Sequence, residues 1–140
     1  MRTFNMDKSG INWIIVGSFL GFLAVLLGAA GSHWFSYLLS DTGKDTYTTS
    51  YIFHALHTIL ILIATVIRLF LDVPVRAFSL CPWFLFLGII FFSGSLYVLP
   101  LSGISYFGII APVGGLFFML GWLSLAYGAF KVRQVTLKGG

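Results

Sequence analysis

Four long apolar segments, separated by short polar connections, constrain the fold of this chain more than any other feature. Each has about the 20 residues that an α-helix needs to cross the hydrocarbon core of a bilayer. A water-soluble fold could not bury them all, because 59% of the 140 residues are hydrophobic and only 9% are charged. The sequence therefore predicts a single integral membrane domain, an all-α up-down four-helix bundle.

The predicted transmembrane helices follow the apolar runs and the prolines that bound them. Pro82 suits the first turn of a helix, and Pro112 divides a last apolar region that is too long for one upright span. The predicted helices cover residues 11–31, 52–71, 82–99 and 112–131. The predicted connections are outer loops at 32–51 and 100–111 and an inner loop at 72–81. A single tilted helix kinked at Pro112 is the alternative for the last region.

The basic residues predict the orientation of the bundle. Only Lys44 lies on one side of the predicted membrane, and the other basic residues lie on the opposite side: Arg2, Lys8, Arg68, Arg76, Lys131, Arg133 and Lys138. By the positive-inside rule, both termini are expected in the cytoplasm, or in the matrix of an organelle. We expect a bacterial cytoplasmic (inner) membrane, with the mitochondrial inner membrane as the alternative. Basic residues scattered in this way argue against nucleic-acid binding, which needs positive charge grouped on one face.

Small residues form a stripe along the first predicted helix. Their spacing of four, three, four and three residues keeps one helix face nearly flat, so that a neighbouring helix can approach closely. The stripe comprises Gly17, Gly21, Ala24, Gly28 and Gly31. This pattern predicts that helix 1 lies at the centre of the bundle. Gly114, Gly121 and Gly128 are expected to serve the same packing in helix 4.

Polar residues near the predicted span ends gather at the level that the orientation makes the outer one. All four helices contribute to this cluster, which comprises His33, His54, Ser93, Ser95, Tyr97, Pro112, Gly114 and Gly115. Histidines at helix ends can hydrogen-bond to backbone carbonyls, and serines within spans can bond to a neighbouring helix. We interpret the cluster as interhelical hydrogen bonds that fix the outer end of the bundle.

The histidines also allow a second interpretation. His54 and His57 lie three residues apart on one helical face, and His33 ends helix 1 in the same compartment. Three imidazoles could hold zinc or copper, or ligate haem. No carboxylate lies within the spans to support them, so no cofactor is predicted.

Catalytic and transport motifs are missing from the sequence. Gly94-Ser95 belongs to no G-x-S-x-G nucleophile elbow, and the lone Cys81 excludes every motif that needs two cysteines. Acidic residues within the spans and an inverted repeat, which are typical of transporters, are also missing. The sequence therefore predicts a protein that is not an enzyme.

Four segments, taken together and in order, resemble a known family. They are residues 28–33 (GAAGSH), 51–56 (YIFHAL), 92–97 (FSGSLY) and 112–115 (PVGG) with Gly121-Trp122. These segments are similar to the YgdD/YwdK-like family of small uncharacterised membrane proteins, which has a eukaryotic mitochondrial branch. The resemblance implies a four-helix membrane protein without an established reaction, one branch of which supports membrane integrity. His33 and His54 match the family's histidine positions, whereas His57 departs from them.

Three functions are consistent with these observations. We expect a non-enzymatic integral membrane protein of structural or membrane-supporting role, with the lipid bilayer as its environment. One alternative is an accessory subunit of a larger membrane complex, or a homo-oligomer. The other is a metal- or haem-binding protein that uses His33, His54 and His57.

Overall fold

The computed structural model of the chain describes residues 8–71 and 75–138. Within these residues every regular element is helical, and four helical segments are long and apolar enough to cross a membrane. The elements are α1 (Lys8–His33), α2 (Asp41–Phe70), α3 (Arg76–Gly88), a π-helical turn (Ile89–Ser93), α4 (Gly94–Ser102) and α5 (Tyr106–Lys138). α3, the π turn and α4 follow one another without a break, and together they form the third span. The prediction of an all-α, four-helix membrane fold is confirmed.

α1 and α2 form an antiparallel pair. At one end of the pair, Gly10 lies against Leu69. At the other end, Gly31 lies against Tyr47. The contacts therefore run in opposite order along the two helices, and the small residues of α1 admit the larger side chains of α2.

The third span and α5 form a second antiparallel pair. Phe78 near the start of α3 lies against Gly128 in the second half of α5. Further along, the backbone of Phe92 in the π turn lies against Gly114 in the first half of α5. Glycines thus bring the two helices together in this pair as well.

α2 lies at the centre of the bundle. It contacts both α1 and the third span, and its residues Ile61 and Ala64 are completely buried. Among 18 consecutive apolar residues of α2, 39% are buried, against 22% in the corresponding stretch of α1. The prediction that helix 1 is central is therefore wrong, because its stripe of small residues packs on α2 from one side while the opposite face stays exposed.

The hydrophobic core draws side chains from all four spans. It includes Trp13 of α1, Ile61 of α2, the sole cysteine Cys81 of α3, and Phe118 of α5. The Trp13 ring also meets the ring of Trp83 edge to face, with 4.9 Å between centroids. Because lipid is as apolar as these side chains, the core stabilises the bundle mainly through van der Waals packing.

α2 begins at Asp41, well inside the predicted outer loop of residues 32–51, so the second half of that prediction is wrong. Ser40 caps the helix by accepting a hydrogen bond from a first-turn N–H at 3.1 Å. Thr46 and Thr49 then donate to carbonyls four residues back, at 2.9 Å each. Hydropathy marks only the part of a helix within hydrocarbon, so it predicts a loop where this polar, capped helix continues.

The prolines of the last two spans lie inside helices rather than at their starts. α3 begins at Arg76, so Pro82 is an interior residue. α5 likewise begins at Tyr106 and contains Pro112. The predicted starts at these two prolines are therefore wrong, and of the predicted loop at 100–111 only residues 103–105 lie outside helices. The alternative of a single helix through Pro112 is correct, whereas its tilt and its kink stay predictions. Neighbouring helices make an interior proline tolerable within a membrane bundle.

The connections between spans are short. α4 stops before Gly103, whose φ of 69° is the left-handed conformation that favours glycine at a helix end. Only residues 103–105 then join α4 to α5. Of the predicted inner loop at 72–81, residues 72–74 lie outside the described part of the chain, and residues 76–81 belong to α3. Arg2, which contributes to the predicted orientation, also lies outside it.

Candidate functional site

A layer of buried polar side chains crosses the bundle near the end at which α1 ends and α2 begins. This end is called the outer end below, following the orientation predicted from the basic residues. The polar layer comprises Ser50, His54, His57, Thr58, Ser93, Ser95 and Tyr97. All of these residues lie on α2 or the third span, and each is less than a tenth exposed. α1 and α5 contribute only at its margins.

A serine of α2 ties that helix to the π turn of the third span. The Ser50 hydroxyl donates to the carbonyl oxygen of Ser93 at 2.6 Å, and both residues are completely buried. Within the π turn, the N–H of Gly94 donates to the carbonyl of Ile89 and so skips the usual partner four residues back. Ser50 therefore satisfies a carbonyl at the point where the regular α-helical pattern is interrupted.

His54 belongs to a chain of contacts that reaches α1. Its Nδ1 lies 3.3 Å from the hydroxyl of Tyr97, within hydrogen-bond distance. The Tyr97 ring packs edge to face on Tyr47, with 4.9 Å between centroids. Tyr47 in turn donates its hydroxyl hydrogen to the carbonyl of Leu27 at 2.8 Å. Three of the four spans are linked in this way.

Both nitrogens of His57 have hydrogen-bond partners, and its ring is stacked on another ring. Its Nδ1 donates to the Phe53 carbonyl at 2.7 Å, and its Nε2 accepts from the indole N–H of Trp122 at 3.3 Å. Its ring stacks on Phe118, with 3.6 Å between centroids and 12° between planes. Because a carbonyl only accepts and an indole N–H only donates, these contacts fix the neutral tautomer with hydrogen on Nδ1. Neither nitrogen is available to a metal or a substrate.

Three atoms of the polar layer are buried without a hydrogen bond in the described structure: His54 Nε2, Thr58 Oγ1 and Ser93 Oγ. The His54 ring lies beside the Leu20 carbonyl of α1, but Nε2 does not reach good hydrogen-bond geometry. Thr58 lies one turn further along α2 and faces α1 at Gly21. The layer is thus incompletely satisfied at three side chains, two of which, His54 and Thr58, lie beside α1.

The structure brings together only part of the predicted polar cluster. It gathers His54, Ser93, Ser95 and Tyr97 in the layer, where the Ser95 hydroxyl bonds back to its own helix at Phe92. It leaves His33 exposed at the end of α1 and Pro112 exposed on α5. Gly114 is buried and Gly115 is half-buried, both beside Phe92, where they contribute backbone packing rather than polar atoms.

The three histidines proposed as alternative metal ligands do not converge. His33 is exposed at the end of α1, His54 is buried between helices, and both nitrogens of His57 already have partners. Across residues 8–71 and 75–138, no group of three or more His, Cys, Asp or Glu side chains is placed to hold a metal ion. The expectation that the protein works without a cofactor stays a prediction.

Two residues of the site were not predicted from the sequence. Ser50 falls in a polar stretch that resembles a loop, although it precedes His54 by four residues and so shares its helix face. Trp122 belongs to one of the segments that carry the family resemblance, but no role is predicted for it; its indole donates to His57 and links α5 to α2. The position of Ser50 on the same face as His54 is recognisable only because α2 extends back to Asp41. No sequence signal identifies the partner of Trp122.

The glycines predicted to pack helices differ in the room around them. On α1, a Cβ added at Gly17 would lie 2.5 Å from Leu62, and one at Gly28 would lie 2.7 Å from Tyr51. At Gly21 the nearest atom would be 3.8 Å away, which is an ordinary contact. The remaining members of the set contact Tyr47 (Gly31), Leu85 (Gly121) and Phe78 (Gly128), and Ala24 is buried. All of these lie on helix faces that meet a neighbouring helix.

Comparison with known proteins places the chain in a family. A family model described as "Protein of unknown function (DUF423)" matches residues 27–115, which include the whole polar layer. The chain belongs to the DUF423 family. Among curated relatives, the UPF0382 membrane protein SH2409 of Staphylococcus haemolyticus is 37% identical over 119 residues, which are 85% of this chain and 95% of that protein.

Two further relatives of this DUF423 member confirm the family resemblance seen in the sequence. The UPF0382 membrane protein YwdK of Bacillus subtilis is 32% identical over 119 residues, which cover 85% of this chain and 96% of that protein. The UPF0382 inner membrane protein YgdD of Escherichia coli is 33% identical over 122 residues, which cover 86% of this chain and 91% of that protein. No solved structure matches the chain.

Proposed function

We propose that this DUF423 member is a non-enzymatic protein of the bacterial cytoplasmic membrane with a structural, membrane-supporting role. Both termini face the cytoplasm in this proposal, because the basic residues concentrate at the end of the bundle where α1 begins and α5 ends. The names of the bacterial relatives, one of them an inner membrane protein, support the same location.

The observation that carries the proposal is the occupation of the polar layer by contacts between helices. Ser50, His57 and Tyr97 each contact a different helix, His57 has no free nitrogen, and the unpartnered Nε2 of His54 is buried away from substrates. A catalytic histidine needs one nitrogen open to a substrate, together with a nucleophile or an acid that it can activate. The layer offers the histidines carbonyls, an indole and a phenol instead, so its chemistry suits the positioning of helices.

A comparison of two classes of variant tests this role. In a bacterial strain that lacks its own family member, the wild-type chain should restore the resistance of the membrane to an impermeant dye. A packing variant, Gly114→Ala, should fail in proportion to its loss of folded protein. A polar variant that stays folded, Ser95→Ala, should restore resistance fully, because Ser95 bonds only within its own helix.

The decisive variant is His54→Gln, which keeps a hydrogen-bonding side chain but removes the imidazole. If the structural role is correct, its activity in the dye assay should follow its thermal stability in detergent. A variant that is as stable as the wild type but inactive would show that the imidazole does chemistry, and the proposal would be wrong.

A role as a subunit of a larger assembly, or as a homo-oligomer, is the second candidate. The exposed face of α1 carries large apolar side chains such as Phe19 and Phe22, as expected for contact with lipid, but it also carries Asn12 and Ser18. Polar residues on a lipid-facing surface favour contact with another transmembrane helix. Mild extraction followed by mass spectrometry of intact assemblies tests this candidate, since Ser18→Leu should release any partner that binds this face.

A further inference from the structure

A groove lies between α1 and α2 at the outer end of the bundle. It has a volume of about 530 Å³ and is bounded by the second half of α1, the connection after it, and the first turns of α2. Tyr47 and Tyr51 line it from α2, and they are the same side chains that fill the space above Gly31 and Gly28. The groove is therefore built on a close part of the α1–α2 contact.

The groove is apolar at one end and polar at the other. Val25 and Ala29 line the end nearer the middle of the membrane, and His33 and Lys44 line the end nearer water. Val25 and His33 are separated by about 12 Å along α1, from eight residues at 1.5 Å each. The exposed ring of Trp34 beside the groove is a side chain that prefers the headgroup level of a bilayer. An amphiphile aligned with the membrane normal matches this gradient.

Two opposite charges lie side by side at the polar end. Lys44 is the only basic residue of the chain predicted on this side, and it lies in the first turns of α2, where the helix dipole disfavours a cation. Its ammonium is 3.4 Å from the carboxylate of Asp41, which is fully exposed, so the pair contributes little stability by itself.

We propose that the groove binds one glycerophospholipid with a phosphoethanolamine headgroup. The phosphate lies at Lys44 and the hydroxyls of Ser36 and Thr48, which also line the groove. The primary ammonium of the headgroup lies at Asp41, next to Lys44. One acyl chain follows Val25 and Ala29 towards the middle of the membrane.

Charge complementarity selects this headgroup over others. An anionic headgroup such as phosphoglycerol would bring net negative charge beside Asp41, whose charge already offsets that of Lys44. A choline headgroup carries a quaternary ammonium without an N–H, so it cannot donate a hydrogen bond to Asp41. The groove contains no residue of the polar layer, although Tyr47 borders both, and lipid binding there does not rest on the structural role proposed above.

The test is a lipid titration of the purified full-length protein in mild detergent, followed by mass spectrometry of the intact complexes. Phosphatidylethanolamine, phosphatidylcholine, phosphatidylglycerol and inorganic phosphate serve as separate probes. We expect one phosphatidylethanolamine per chain, and Lys44→Ala should weaken its binding about tenfold, as expected for loss of a charged hydrogen bond. Asp41→Asn should abolish the preference over phosphatidylglycerol. Lys131→Ala, at the opposite end of the bundle, is the control and should change nothing.

A groove-filling variant keeps the test informative if the charge variants misfold. Ala29 is exposed, so Ala29→Trp should fold normally and keep the thermal midpoint of the lipid-free protein while it blocks the acyl chain. It should therefore lose phosphatidylethanolamine binding. Equal binding of all three lipids, binding that is insensitive to both Lys44→Ala and Ala29→Trp, or displacement of the lipid by inorganic phosphate would each overturn the proposal.

Discussion

The two antiparallel helix pairs both depend on glycine, but they use it in different ways. Between α1 and α2, the glycines of α1 receive side chains of α2, such as Leu62 above Gly17 and Tyr51 above Gly28. Between the third span and α5, Gly114 lies directly against backbone atoms of Phe91 and Phe92. A side chain can turn about its bonds to make room, whereas backbone can move only with the whole helix.

This difference shows that a stripe of small residues does not by itself report how tightly a pair of helices is packed. The stripe on α1 is the longer and more regular of the two, yet one of its members, Gly21, has room for a methyl group. The glycines of α5 are seven residues apart and make a weaker pattern, but they include the closest contact to backbone. The predictions below test this contrast, beginning with the largest expected effect.

Gly114→Ala should be the most damaging single substitution. Its Cβ would overlap the backbone of the π turn, and relief requires α5 to move away from the third span. We expect a loss of about 3 kcal/mol in the free energy of unfolding, or failure to fold, as for severe overpacking. Thermal unfolding in mild detergent measures it.

Gly115→Ala is the matched control for that experiment, because a Cβ there would lie 3.9 Å from its nearest neighbour. It should change the unfolding free energy by less than about 0.5 kcal/mol. Equal unfolding midpoints for the two variants would contradict the close backbone contact.

Gly28→Ala should have a moderate effect. The added methyl group would lie 2.7 Å from Tyr51, but that ring can shift towards the groove beside it. We expect a loss of about 1 to 2 kcal/mol in the unfolding free energy. Gly21→Ala is the control, and it should be neutral or stabilise the helix by up to about 1 kcal/mol. If the two variants lose the same stability, α1 is packed as rigidly as α5 and the contrast between the pairs disappears.

Trp122→Phe should weaken the connection between the two pairs. The substitution keeps an aromatic ring but removes the indole donor, so Nε2 of the buried His57 is left without a partner. A loss of about 1 kcal/mol is expected for one buried hydrogen bond. Nitrogen chemical shifts of His57 should show the Nδ1-protonated tautomer in both proteins, because the Phe53 carbonyl still accepts from Nδ1, and the Nε2 shift should move in the variant. Trp34→Phe, at an exposed tryptophan, should leave both readouts unchanged.

Ser50→Ala should have the smallest effect of the four. It removes a donor to the Ser93 carbonyl, which can still accept from its own helix, so we expect a loss of about 0.5 to 1 kcal/mol. Hydrogen exchange of the amides in the π turn should rise in this variant. Thr49→Ala removes a hydroxyl that bonds only within α2 on the exposed side, and exchange in the π turn should not respond to it.

The sequence was sufficient for the fold because the bilayer demands long apolar helices and allows few other structures. It was insufficient at the helix ends, where capping and side-chain bonds to the backbone decide whether a helix continues into water. The first turns of α2, capped by Ser40, were predicted as loop for this reason. Interior prolines caused the opposite error. Proline is common at helix starts, whereas Pro82 and Pro112 lie inside helices that begin earlier.

For the candidate site, periodicity identified the residues on α2 but not their partners. His54 and His57 were recognisable as neighbours on one face, yet each points to a different helix. The π turn could not be predicted, since nothing in Ile89–Ser93 distinguishes it from ordinary α-helix. It lies against Gly114, a residue on another span, and such long-range contacts leave no local pattern.

The π turn also sets the angular phase of the third span. Each residue of an α-helix rotates the chain by about 100°, so one extra residue in a turn swings every later side chain around the axis. Before the turn the span is packed mainly against α5, and after it about equally against α2 and α5. A single rod thus turns a later residue, Tyr97, towards His54 of α2 without a bend in its path through the bilayer being required.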